Sequence, residues 1–280
     1  MTVWNIITDL TKLLSVCFIE QPQAEARLIV CDVLNLSTSR YIAAKNDPIT
    51  DEDYQKCVDI AGLRLTGRSL ASILGYRYFY EDKFIVSDDV LIPRPETEML
   101  VDYLLQQEHS PKRILEIGLG SGCITISVAK HRPSWSFLAV EISAKAAAIA
   151  TQNAQNILSD ISNIRIVNTD FMSFASNETF DIIVSTPPYI PSNVTKDLLD
   201  GKTISDPEIA LDGGPDGLDF YRAILSFADS HLSPTGIVVV EHGFDQRNAL
   251  SELAGWHNLS YSCYRDLAGL DRMSVFKKNK

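Results

Sequence analysis

From about residue 93 the chain switches regularly between short apolar runs and amphipathic stretches, and this alternation limits the fold more than any other feature. RILEIG (113–118), SFLAVEI (136–142), IRIVNTD (164–170), FDIIVST (180–186) and GIVVVEHG (236–243) are rich in branched apolar residues and too short to be helices. Between and around them Pro95–Gln107, Gly122–Arg132, Ser143–Leu158 and Tyr221–Leu232 carry helical spacing. Alternating strands and helices predict a parallel sheet joined by crossover helices. LSYSCYRD (259–266) and RMSVFKK (272–278) then close the sheet with an antiparallel pair at one edge. The expected fold is an α/β domain built on seven strands.

The beginning of the chain has a different period. Val3, Ile6, Ile7, Leu10, Leu13 and Leu14 form one helical stripe, Ala26, Ile29, Val30 and Val33 a second, and Tyr54, Cys57, Val58, Ala61 and Leu65 a third that Thr50 is placed to cap. Tyr76, Tyr78 and Tyr80 alternate, as do Phe84 and Val86, with Glu81-Asp82-Lys83 between them, which predicts a hairpin. The expected domains are therefore residues 1–72, helical; 73–92, a β-hairpin linker; and 93–280, the sheet domain. At 280 residues and 45% hydrophobic, the chain has enough apolar surface for one large domain and a smaller one.

Composition excludes several classes of function. Lys plus Arg number 25 against 36 Asp plus Glu, and a net charge of −11 argues against a long polyanion, and so against direct nucleic-acid binding. Five scattered cysteines without a CxxC pair fit reduced thiols in the cytoplasm, and five scattered histidines give no metal-ligand pattern. MTVWNIITDLTK lacks a basic region followed by an apolar core, and no apolar run approaches the ~18 residues of a membrane span. A soluble, unprocessed cytoplasmic protein without a membrane partner is expected.

Two motifs carry chemistry. EIGLGSGC (116–123) sets Gly118, Gly120 and Gly122, with Leu119 and Ser121, between a strand and a helix, where the backbone can turn tightly and a ligand can approach a helix N-terminus. A plain turn uses the same glycines, and a dinucleotide site would want its third glycine where Cys123 stands. Glu141, ending the next strand about 20 residues on, adds the acid that such folds use on ribose hydroxyls. Asp170 and Phe171, after the third strand, can take an adenine amino group and stack on its ring, or be a capping Asp beside a core Phe. The second motif, VSTPPYIPS (184–192), places two prolines and a tyrosine at the end of the fourth strand. Methylating a planar nitrogen requires both N–H bonds to be oriented and the conjugated lone pair to be aimed, which a strand-end acceptor, a proline carbonyl and an aromatic ring can do.

The seven-strand pattern resembles the Rossmann-like sheet of class I methyltransferases. Together with Pro187, Pro188 and Tyr189, VLIPRPETEMLVD (90–102), IALDGGPDGLDFYRAIL (209–225), EHGFDQ (241–246) and RDLAGLDRMSVF (265–276) resemble the protein-(glutamine-N5) methyltransferases of peptide-chain release factors, the PrmC/HemK family, over nearly the whole chain. The resemblance implies S-adenosylmethionine as methyl donor and S-adenosylhomocysteine as product. It implies the Gly-Gly-Gln glutamine of class 1 release factors as acceptor, and a helical N-terminal domain that helps hold that protein. It assigns cofactor binding to Gly118, Leu119, Gly120, Ser121, Gly122, Glu141, Asp170, Phe171 and Thr186, and catalysis to Thr186, Pro187, Pro188 and Tyr189. Residue 186 and the Pro187 carbonyl would accept the two amide N–H bonds, and the Tyr189 ring would pack on the amide plane. Three positions depart from the pattern: Thr186 stands where the family has Asn, Glu141 where Asp is usual, and RSLASILG (68–75) lacks a Gln-Tyr pair. A hydroxyl before Pro-Pro-Tyr is usual in cytosine-N4 methyltransferases, so a nucleic-acid amino-methyltransferase is the second reading. A catalytically silent cofactor- or partner-binding protein is the third.

Overall fold

The computed structural model describes residues 1–17, 19–200 and 206–279. They form two compact units, the first ending at Gly75 and the second beginning at Tyr76. The first unit holds α1 (Val3–Leu14), α2 (Pro22–Val33), α3 (Thr38–Ala43), α4 (Asp51–Arg64) and α5 (Leu70–Leu74). Their starts are chemically marked: the Thr2, Ser37, Thr50 and Ser69 side chains each accept a first-turn backbone N–H, and Pro22 opens α2. The stripes of α1, α2 and α4 meet in one core around Ile6, Leu14, Ile29, Val30 and Ala61. Leu13 is the exception, 38% exposed at the edge of its stripe. An ion pair between Arg64 and Glu25, 2.7 Å, ties α4 to α2. The two short helices α3 and α5 are too brief to show a periodic stripe, and the sequence pattern does not separate them from loops.

The second unit opens with a hairpin, β1 (Tyr76–Phe79) and β2 (Asp82–Ile85). Its turn is the pair Tyr80-Glu81, with Tyr80 at φ +54°. Asp82 and Lys83, expected in the turn, belong to β2, because a two-residue turn lets Phe79 pair with Asp82. Then follow α6 (Glu98–Leu105), β3 (Arg113–Ile117), α7 (Cys123–His131), β4 (Ser136–Glu141), α8 (Ala144–Ile157), β5 (Ile164–Asn168), β6 (Phe180–Ser185), α9 (Ser192–Asp200), α10 (Asp219–His231), β7 (Leu232–Glu241), α11 (Arg247–Trp256), β8 (Leu259–Arg265) and β9 (Asp271–Lys278). Most boundaries fall within two residues of expectation, and two depart further. Pro95–Thr97 is a single 3-10 turn ahead of α6, and β7 starts at Leu232 instead of Gly236, pairing with Phe180 across an irregularity.

The seven strands lie in the order β5-β4-β3-β6-β7-β9-β8, parallel except for β9, which runs antiparallel to both neighbours. Strand alternation decides which helices cover which face. Ile114, Ile182, Ile237 and Val239 share a core with Leu100 and Leu104 of α6 and Ile124 and Val128 of α7. Their neighbours Leu115, Ile183, Val238 and Val240 face Tyr221 and Ile224 of α10 and Leu250 of α11. Because β4 lies on one side of β3 and β6 on the other, the connections diverge there and leave a crevice beyond the carboxyl ends of these strands.

Candidate active site

The crevice is built first from the turn after β3. Gly118 donates its N–H to the Val140 carbonyl at 2.9 Å, and Gly120 donates to Glu141 Oε2 at 2.8 Å, so the turn is fastened to the end of β4. Glu141 is buried, and its other oxygen takes the Ser143 N–H at 2.8 Å; both oxygens keep a further lone pair for a ligand hydroxyl. Gly120 sits at φ +56°, and a Cβ there would meet no atom within 4 Å, because the position opens on the cleft. Gly122 differs. At φ +81° it precedes α7, and its Cβ would lie 2.7 Å from Ile126 Cδ1 and 3.2 Å from Ala150 Cβ. Gly118, Leu119, Gly120 and Ser121 line the cleft, whereas the Cβ position of Gly122 points into the packing of α7 on α8 behind it.

Asn153 of α8 holds this turn from below. Wholly buried, it donates to the Ser121 carbonyl at 2.9 Å and the Ile85 carbonyl at 3.0 Å, and accepts the Ile85 N–H at 2.7 Å. At the far side of the cleft, Asp170 accepts the Met172 N–H at 2.9 Å as the cap of a 3-10 turn. Phe171 is buried, its ring centroid 5.6 Å from that of Phe227. Both residues also line the cleft, so capping and packing still leave them at its wall. Glu116, within β3, lines the cleft too, buried and accepting the Thr125 N–H at 3.0 Å; desolvation pushes its carboxyl up to about 8.

The Pro-Pro-Tyr turn follows β6. Ser185 donates its hydroxyl to the Ile117 carbonyl at 2.7 Å, locking the ends of β6 and β3 together. Thr186, Pro187 and Pro188 line the same cleft as the glycine turn. The Thr186 side chain is half-buried and makes no hydrogen bond among the described residues, so its hydroxyl is available to a ligand. Tyr189 is not among the lining residues; it packs against the core beneath α10, and its hydroxyl faces the Arg272 guanidinium. Burial raises its pKa, and Arg272 pulls the other way.

Sequence reasoning passed over several groups around this turn. The Arg272 side chain is only 15% exposed and is bonded to Asp266 and to the His242 carbonyl. Glu241, buried at the end of β7, accepts the Thr97 hydroxyl at 2.6 Å; burial raises its pKa against that hydrogen bond and Arg272. Arg94 pairs with the buried Asp206, which lies 3.5 Å from the Ile92 N–H. One signal was legible: Glu116 and Glu241 are acids inside otherwise apolar strand runs, where an unpaired charge is costly. Among the described residues no cluster of three or more His, Cys, Asp or Glu is placed to hold a metal ion, and no helix is long and apolar enough to cross a membrane.

A glycine turn, a strand-end acid and a Pro-Pro turn around one crevice of a seven-stranded sheet with an antiparallel edge define a methyltransferase of the class that uses an S-adenosylmethionine-type cofactor. Residues 95–215 match the methyltransferase small domain and residues 5–75 the PrmC N-terminal domain. The hMettl16 catalytic domain, solved in complex with the MAT2A 3'UTR hairpin 6, superposes with TM-score 0.56 at 17% identity, covering 79% of this chain and 83% of that one; the likeness is one of fold. Release factor glutamine methyltransferase of Thermodesulfovibrio yellowstonii is 33% identical over 261 residues, spanning 91% of this chain and 92% of its own. That of Neisseria gonorrhoeae is 36% identical over 262 residues, spanning 92% and 94%. The chain belongs to the release factor glutamine methyltransferase family.

Proposed function

We propose that this protein methylates N5 of the glutamine in the Gly-Gly-Gln loop of class 1 peptide-chain release factors, using S-adenosylmethionine and releasing S-adenosylhomocysteine. The observation that carries the reading is that Gly118–Ser121 and Thr186–Pro188 face one cleft from the ends of the paired strands β3 and β6. Residues and cofactor fit: the open space over Gly118 and Gly120 is a cradle that a side chain would fill, Glu141 keeps lone pairs for ribose hydroxyls, and Asp170 and Phe171 offer an acceptor and a ring to adenine. When bound, the cofactor supplies an electrophilic methyl on a positively charged sulfur. The chain's own groups do the aiming. The Thr186 hydroxyl and Pro187 carbonyl accept the two N–H bonds of the acceptor amide, the prolines keep those acceptors in place, and Tyr189 backs the turn. Methylation of the amide nitrogen would release one proton, to solvent water, and the donor would leave as S-adenosylhomocysteine. Most of this is positioning, the main lever available for a nitrogen whose lone pair is conjugated.

The helical unit would hold the release factor, and the acidic balance of the chain fits a protein partner with a basic surface better than free nucleic acid. Translation termination in the cytoplasm would be the setting. Tritiated methyl from S-adenosylmethionine should label a class 1 release factor and fail to label the same factor with its Gly-Gly-Gln glutamine replaced. Label on DNA or RNA in place of the factor would favour base methylation, the reading that the Thr186 hydroxyl keeps open.

A further inference from the structure

The Pro-Pro-Tyr turn lies past the last ladder pairs of β6, Ser185 with Ile117 and with Val240. Beyond Ser185 the ladder ends, and the chain is caught instead by the loop that precedes α10. Ile190 donates to the Leu211 carbonyl at 3.0 Å, Gly213 to the Ile190 carbonyl at 2.8 Å, and the Ser192 hydroxyl to Asp212 at 2.7 Å. The approach is close: a Cβ at Gly213 would lie 2.8 Å from the Pro188 carbonyl oxygen, and one at Gly217 would collide with that of Tyr189.

At the centre of this contact stands Gln246, the residue before α11, buried and with its amide fully used. Its Nε2 donates one hydrogen to the Tyr189 carbonyl at 3.0 Å and the other to the Gly217 carbonyl at 3.1 Å. Its Oε1 accepts the Gly243 N–H at 2.9 Å and lies 3.4 Å from the Tyr221 hydroxyl. One side chain thus binds the catalytic turn, the glycine loop behind it and the end of β7. No other uncharged side chain offers two donors and an acceptor at that reach.

We propose that Gln246 is the positioning residue for the Pro-Pro-Tyr turn, setting the place of the Pro187 carbonyl and the Thr186 hydroxyl by fixing the Tyr189 carbonyl two residues on. The inference rests on Thr186–Pro188 being the acceptor clamp. It assigns a role to EHGFDQ, which otherwise only marks the family, and explains why a glycine loop must lie against the turn. Shape at the acceptor side then depends on Gln246, while the cofactor side, fastened by Glu141 and Asn153, does not.

Gln246→Met keeps the length and volume and removes both donors; Gln246→Glu keeps the acceptor and removes the donors; Gly217→Ala disturbs the same contact with Gln246 intact. Loss of the two hydrogen bonds should raise amide hydrogen exchange in residues 186–194 by about 10-fold, with residues 114–122 and 137–141 unchanged. Methyl transfer to the release factor should fall roughly 10²-fold in kcat. The Kd for S-adenosylhomocysteine should stay within about 2-fold, since binding there is held by other elements. Unchanged exchange in residues 186–194, or raised exchange with unchanged kcat, would overturn the proposal. So would loss of S-adenosylhomocysteine binding in all three variants, which would make Gln246 part of the general framework. If the wild-type protein never labels a release factor while the exchange pattern holds, the acceptor assignment fails and the structural role of Gln246 stands.

Discussion

Glu141 accepts the Gly120 N–H at 2.8 Å across 21 residues of chain, so the acid proposed to hold the ribose also fixes the turn proposed to cradle the methionine end of the cofactor. Removing it should harm both tasks. Calorimetry should show S-adenosylhomocysteine binding at least about 10-fold weaker in Glu141→Ala, in line with the loss of hydrogen bonds to a charged group. Gly120→Val should weaken it as much, because the branched side chain would project into the cleft from a left-handed backbone. Affinity unchanged in both would refute the cofactor assignment.

Gly122→Ala separates packing from binding. Its Cβ would press on Ile126 Cδ1 behind the cleft, at a φ that L-residues avoid. A lower Tm is expected, by about 1–3 kcal/mol of stability. A normal Tm with weakened S-adenosylhomocysteine binding would make Gly122 a cofactor-binding residue in its own right.

Thr186 should limit turnover more than binding. Its hydroxyl sits on Cβ, roughly one bond short of where an Asn carbonyl oxygen would reach, and a bent or stretched hydrogen bond weakens steeply. One preorganised transition-state contact is typically worth about 2.7–4 kcal/mol. Thr186→Asn should therefore raise kcat for release factor methylation by at least ~10-fold with little change in cofactor affinity. Single-turnover rates decide it, and an equal or slower Asn variant means the hydroxyl already serves fully.

Glu116 should make stability depend on pH. Burial raises its carboxyl from 4.5 to about 8 in the folded chain, so between those values the folded state binds the proton more than the unfolded state does. That contribution is complete below about pH 4.5 and fades as pH rises through about 8, with a slope of at most about 1.4 kcal/mol per pH unit. Glu116→Gln keeps a neutral group of the same shape. Its Tm relative to the wild type should rise between about pH 5 and pH 9; a constant difference would show that Glu116 is ionised when buried.

Deleting residues 1–72 should leave a folded unit that binds S-adenosylhomocysteine, since Gly118–Ser121, Glu141 and Thr186–Pro188 all lie in the second unit. KM for the release factor should rise well above its wild-type value. An unaltered KM would deny the helical unit its proposed part in holding the substrate.

The frame of this molecule was open to view in the sequence because strands buried on both faces, such as IIV at 182–184, are apolar without interruption, and capping residues such as Thr50 and Ser143 announce helices. The ends of elements were less visible. Pro234 lies within β7, and proline ordinarily argues against a strand, so the three residues before Gly236 read as loop and Leu232 as the end of a helix. At the site, local motifs were legible and long-range partners were not. Glu141 bonding Gly120, Gln246 bonding Tyr189 and Asn153 bonding Ile85 are each set by which elements fold onto which, and a Gln or Asn in one sequence carries no mark of a partner 57 or 68 residues away.

The amide of Asn153 joins Ser121 to Ile85, and so the floor of the cofactor cleft is shared with a hairpin that precedes the sheet in the chain. A sheet domain cut free just before α6 would strip the Asn153 carbonyl and one of its N–H bonds of their protein partners. The piece that could be moved to another protein, by recombination or by an engineer, therefore starts at Tyr76. Any graft made without the hairpin would inherit the glycine turn but lose the brace that gives it its shape.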